Sequence, residues 1–171
     1  MTFFKTTLFL TGILTSVASY ADSTLPDFST YPVSEIDVLK EKPAPVDLSS
    51  HKGAKTYKSK LQEGAEKGPN FAGHYTVVSI GCGTQCQENW VIDAKTGKIL
   101  DKFPSIVGTK QQVDSTLLIV NPADPELKKA YEEHPEQPLL GEMNTTYEIL
   151  KDGKFEVIHK DKWVNVIKSL P

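Results

Sequence analysis

Apolar residues change their spacing several times along the chain, and each change predicts an element. An unbroken run, Leu8-Phe9-Leu10-Thr11-Gly12-Ile13-Leu14, stands first. Further on, Ala54, Tyr57, Leu61 and Ala65 fall on one face at helical spacing, with Ser49 or Ser50 placed to cap the helix and Gly68-Pro69 to end it. From His74 to Ile80 the chain is rich in β-branched and aromatic residues, and Asn89-Trp90-Val91-Ile92-Asp93 has the same character, so both are expected strands. Asp93-Ala94-Lys95-Thr96-Gly97-Lys98 reads as a tight turn with glycine where a positive φ is needed, and it feeds a third strand at 98–100. A buried strand is expected at 115–121 (STLLIVN). Asp124-Pro125 then opens a short helix with Leu127, Ala130 and Tyr131 on one stripe, ended by His134-Pro135. Tyr147 to Leu150 and Phe155 to Ile158, joined through Asp152-Gly153, form a hairpin. The expected fold is α+β and β-dominant: an antiparallel meander, as a single sheet or small barrel, with two short peripheral helices.

The first apolar run is too short to span a bilayer, follows a segment holding only Lys5, and precedes Ala18-Ser19-Tyr20-Ala21, with small residues at −3 and −1. Residues 1–21 are therefore expected to be a signal peptide cleaved after Ala21, and the mature chain to carry no membrane span and to work in the periplasm or as a secreted protein. Residues 22–47 hold Pro26, Pro32, Pro43 and Pro45 with few apolar runs, which predicts an extended arm packed on the surface or a loose tether. Residues 48–171 are expected to form one α+β domain, since about 150 residues bury one adequate core.

Charge narrows the partners. Without Lys5, 18 of the 19 lysines remain against 22 acidic residues, a balance that disfavours nucleic acid or an anionic membrane surface. The sequence contains no arginine, so two-pronged guanidinium recognition of phosphate or carboxylate is excluded.

Chemistry concentrates at Gly81-Cys82-Gly83-Thr84-Gln85-Cys86. In an oxidising compartment the only two cysteines are expected to form a Cys82–Cys86 disulfide. A ring this small removes only about 2 kcal/mol of unfolded-state entropy, so holding the shape of one loop is its better rationale. Dithiol oxidoreductases space their cysteines by two residues at a helix start, and here three intervene between strands. A nucleophile or metal site combining His74 with Cys82 or Cys86 faces a separation of roughly 26 Å along an extended strand. Asn70 and His74 either flank a polar pocket, or Asn70 caps a turn, Gly73 allows close backbone approach and His74 satisfies buried backbone groups. His51, His134 and His159 read as solvated, and Asp93 with Asp101 as a carboxylate pair is set against Asp93 bonding its own turn. No catalytic residue, metal ligand or cofactor motif is assigned.

The segments Asn70-Phe71-Ala72-Gly73-His74-Tyr75, Gly81-Cys82-Gly83-Thr84-Gln85-Cys86 and Asp93-Ala94-Lys95-Thr96-Gly97-Lys98 resemble the pattern NFAGHY, CGTxC and DxxTGK of an uncharacterised group of small exported bacterial proteins. The resemblance covers the central third of the chain and implies bacterial origin and periplasmic residence, with no assigned activity. Two functions of different class are expected. One is a non-catalytic binding or inhibitory module whose clamped loop presents Gly83, Thr84 and Gln85, with Asn70 and His74 as further candidates, to a cell-envelope protein or glycan. The other is a cell-envelope hydrolase using His74 and nearby polar groups.

Overall fold

The computed structural model describes residues 25–84, 86–126, 129, 133 and 144–162. The proposed signal segment, Gln85, and Leu127, Ala130, Tyr131 and His134 of the second expected helix lie outside these. One α-helix, α1 (Lys58–Glu66), precedes β1 (Tyr75–Gly83), β2 (Cys86–Asp93), β3 (Ile99–Ser105), β4 (Thr109–Gln111), β5 (Leu117–Val120), β6 (Asn144–Lys151) and β7 (Lys154–Lys162). The chain is α+β and β-dominant, and every strand pairing is antiparallel. The strands divide into two meanders, β1-β2-β3 and β4-β5-β6-β7, with no closed barrel among the described residues.

Strand periodicity makes the first sheet the middle layer. Val78, Ile80, Trp90, Ile92 and Ile99 face α1 and pack with Ala54, Leu61 and Ala65. Val77 and Val91, one residue out of phase, face the second sheet and meet Phe71, Leu118, Val120 and Leu150. Trp90, Phe71, Leu61, Leu117 and Leu118 are almost fully buried, and each such side chain stabilises the fold by roughly 1.5–3 kcal/mol.

The helix face matches expectation, but the helix start does not. Asp47 Oδ1 accepts from the backbone N–H of Ser49 (2.9 Å) and from its hydroxyl (2.6 Å). Ser50 Oγ donates to the Asp47 carbonyl at 2.6 Å and accepts from the Ile99 N–H at 2.9 Å. Both serines are thus engaged with Asp47, and Ser50 ties this corner to β3. A 3-10 turn at Ala54–Tyr57 follows Gly53, whose φ is 92°, and only then does α1 begin. Gly68, φ 87°, ends it where the sequence predicts. Asp124 Oδ1 accepts from the Glu126 N–H at 2.9 Å, the cap expected for the second helix.

The proline-containing arm is stitched across both sheets by its backbone. Val33 N–H donates to Asp114 (2.9 Å), Leu39 to Gly73 (3.0 Å), Ala44 to Ala94 (2.8 Å) and Asp47 to Gly97 (2.8 Å), while Thr116 N–H donates to Tyr31 (2.9 Å). A Cβ at Gly73 would lie 2.8 Å from Val33 Cγ1, and one at Gly97 would collide with the Pro45 carbonyl. These two glycines, φ 78° and 76°, admit both the turn and the close approach of the arm.

Candidate functional site

Two of the three quoted segments are engaged in holding the arm. In Asn70 to Tyr75, Ala72 and Gly73 take positive φ, and Gly73 N–H donates to Val113 at 2.6 Å. His74, whose side chain is 15 % exposed, places Nδ1 2.9 Å from the Asp37 carbonyl oxygen. A carbonyl only accepts, so Nδ1 carries the proton. Its Nε2 lies 3.8 Å from Asp93 Oδ1, too long for a hydrogen bond, and its ring covers that of Tyr75 at 4.2 Å. Burial, with Asp93 and Asp37 close by, pushes the Tyr75 phenol above its ordinary value.

Asp93 belongs to its own turn: Oδ1 accepts from Lys95 N–H at 2.9 Å and Oδ2 from the Thr96 hydroxyl at 2.7 Å. The segment 93–98 then receives the arm at Ala94 and Gly97. Asp101 interacts instead with Glu148 of β6, whose carboxyl is raised by burial first and by Asp101 second.

Asn70 works on the backbone. Its Nδ2 donates to the Val77 carbonyl at 3.0 Å and its Oδ1 accepts from the Val77 N–H at 2.8 Å. One carboxamide thus pairs with the outer edge of β1 as a neighbouring peptide would.

Among its described residues the third segment makes no backbone bond to the arm. Cys82 and Cys86 are joined by a disulfide, with their Cα atoms 5.1 Å apart, at the tip of the β1–β2 hairpin. Gly83 pairs with Cys86 across a two-residue loop, after a register shift between Gly81 and Gly83. Gly81, Cys82, Gly83 and Thr84 are all exposed, and Gly83 has φ 138°. The length of β1 separates this tip from His74, so the structure does not bring the histidine and the cysteines together.

Below the tip, Glu88, Lys102, Ser79, Asn89 and Ser105 make contacts that sequence reasoning passed over. On one face, Lys102 sits 2.6 Å from Glu88 and holds its carboxyl below the usual range. The same ammonium lies 5.2 Å above the Trp90 ring. His51, expected to be solvated, packs edge-on against Trp90 at 5.0 Å, because the turn ahead of α1 folds over the indole. His159 is exposed beside Tyr147 at 5.5 Å. On the opposite face, Ser79 donates its hydroxyl to Asn89 Oδ1 at 2.6 Å, and Asn89 donates to Ser105 Oγ at 2.8 Å. Ser79 is exposed and Asn89 fully buried. Among the described residues no three His, Cys, Asp or Glu side chains gather as a metal site. No described helix is long and apolar enough to cross a membrane. No protein-family model, curated protein or solved structure matches this chain.

Proposed function

We propose that this protein is an exported, non-catalytic binding or inhibitory module of the bacterial cell envelope, and that the Cys82–Cys86 hairpin tip is its recognition element. One observation carries the reading. Of the three segments that resemble the small exported proteins, two are absorbed in fastening the arm, and the third is covalently clamped, exposed from Gly81 to Thr84, and among its described residues makes no backbone bond to the arm. A rigid polar loop loses little conformational entropy when a partner orders it, which is what preorganised recognition needs.

The hydrolase reading is less well supported. The Nδ1 proton of His74 is engaged by the Asp37 carbonyl, and Asp93 is held by its own turn. That leaves Nε2 unprotonated, but the ring is only 15 % exposed and lies over Tyr75, so a substrate has little open approach to it. The partner in the binding reading is a cell-envelope protein or glycan, met in the periplasm after removal of residues 1–21.

The experiment is capture from periplasmic extract with the oxidised protein and with the Thr84→Ala, Gln85→Ala double variant. The variant is expected to melt within about 0.5 kcal/mol of the parent, as surface substitutions do. It should also lose most of the captured partner, because few residues carry most interface energy. Undiminished capture by this variant and by Cys82→Ser, Cys86→Ser would reduce the loop to a structural clamp.

A further inference from the structure

The outer edge of β1 is guarded along half its length and open along the rest. Tyr75 N–H and carbonyl turn outward, away from β2, onto Phe71 and Asn70, and Val77 is matched by the Asn70 carboxamide. Outward-facing groups recur every second residue along a strand, and the register with β2 is regular as far as Gly81. Ser79 and Gly81 therefore present their N–H and carbonyl groups outward, and no described residue bonds them there. Both residues are small and exposed, and no bulky side chain of their own shields that backbone.

The other edges are protected. β3 carries Pro104 at an outward position, where it offers no N–H. β7 breaks its register between Val157 and His159 and bears Lys154, Glu156, Lys160, Asp161 and Lys162. β4 is only three residues long. Charged, bulged or proline-bearing edges are those that resist strand addition, whereas Ser79 to Gly81 carries neither charge nor proline and the register shift of β1 begins only after Gly81. It leads directly into the disulfide-clamped tip.

Charge selects the occupant. Beside the open edge, Lys55, Lys58 and Lys60 rim a hollow whose floor includes Tyr57, Ile80 and Gly81. All three lysines are exposed and none forms an ion pair with a described residue. A strand added to β1 would direct every second side chain onto this rim.

We infer that the β1 edge from Ser79 to Gly81 binds an extended, acidic peptide segment of a partner protein by strand addition, its alternate carboxylates meeting Lys55, Lys58 and Lys60. This rests on the binding-module reading and names the class of partner. The probe is a linear dodecapeptide selected from a displayed random library on the oxidised protein, with affinity measured by titration and amide exchange followed with and without it. Selected peptides are expected to carry Asp or Glu at alternate positions and to slow exchange at the Ser79 and Gly81 amides. Ser79→Pro and Gly81→Pro each remove an outward N–H that the sheet does not use, and should weaken binding at least tenfold. Gly81→Ala, which keeps the N–H, should not. Lys55→Glu, Lys58→Glu, Lys60→Glu in combination should weaken binding at least as much. Undiminished binding by both proline variants with unchanged amide exchange, or a library that yields no binder, overturns strand addition. If binding instead fails only in Thr84→Ala, Gln85→Ala, strand addition falls and the loop reading stands. If it fails only in the proline and lysine variants, the edge is the site and the loop reading falls.

Discussion

His74 Nδ1 donates to the carbonyl of Asp37, a residue 37 positions earlier in the chain, at 2.9 Å. This bond joins the arm to the start of β1 beside the Leu39 to Gly73 backbone bond. Replacing His74 with Phe keeps the ring over Tyr75 but leaves the Asp37 carbonyl without its donor. The expected cost is about 1–3 kcal/mol by denaturant unfolding. His74→Asn, which can offer an N–H from a similar position, should recover part of it. An unchanged unfolding midpoint in His74→Phe would show that the arm does not depend on this bond.

Gly97 and Gly153 both take positive φ, 76° and 72°, yet their surroundings differ. A Cβ at Gly153 meets nothing within 4 Å, whereas one at Gly97 runs into the Pro45 carbonyl. Gly153→Ala should therefore cost only the backbone strain, about 1 kcal/mol. Gly97→Ala should cost more and should also raise amide exchange in the arm around residues 44–47. Equal destabilisation by the two changes would contradict the close approach of arm and turn.

Glu148 gives the pH dependence a definite sign. Its carboxyl is raised by burial and by Asp101, so the unfolded chain releases that proton at lower pH than the folded one. Stability from this group is present below the unfolded value and falls as pH rises towards the folded one. Glu148→Gln should thus raise the melting temperature at pH 7 and leave it little changed at pH 3. A variant less stable than the parent at pH 7 would mean that the charge is favourably paired in the fold.

The disulfide should contribute modestly to stability and show plainly in the mass. The oxidised protein is expected to weigh two daltons less than the fully reduced chain, one disulfide's worth of hydrogen. Cys82→Ser, Cys86→Ser should lower stability by no more than about 2 kcal/mol, since so small a ring constrains the unfolded chain little. Intact mass after alkylation and a thermal melt check both.

Local chemistry was the legible part. Asp152-Gly153 announces its hairpin because both residues must take positive φ, 50° and 72° here, and few pairs do so without strain. The face of α1 is legible because Leu61 and Ala65 keep helical spacing. The two-sheet division leaves no comparable mark, because Leu117 to Val120 reads as a strand whichever neighbour it takes. β4 is three residues, Thr109-Lys110-Gln111, set in place by pairing with β5. Asn70 and His74 stand out as unusual residues, but their partners lie 7 and 37 positions away on backbone groups that carry no sequence signal. The open edge at Ser79 and Gly81 is hidden for the same reason: it is defined by the lack of a bonding neighbour among the described residues.

The arm also sets an order of assembly. Tyr31 accepts from Thr116, 85 positions later, and Asp47 is bridged to Lys98. Its docking surfaces exist only once β1, β2 and the approach to β5 have come together, and closing loops of that length is slow. In a chain that emerges from its amino end, this segment therefore waits for partners that appear as much as 85 positions later.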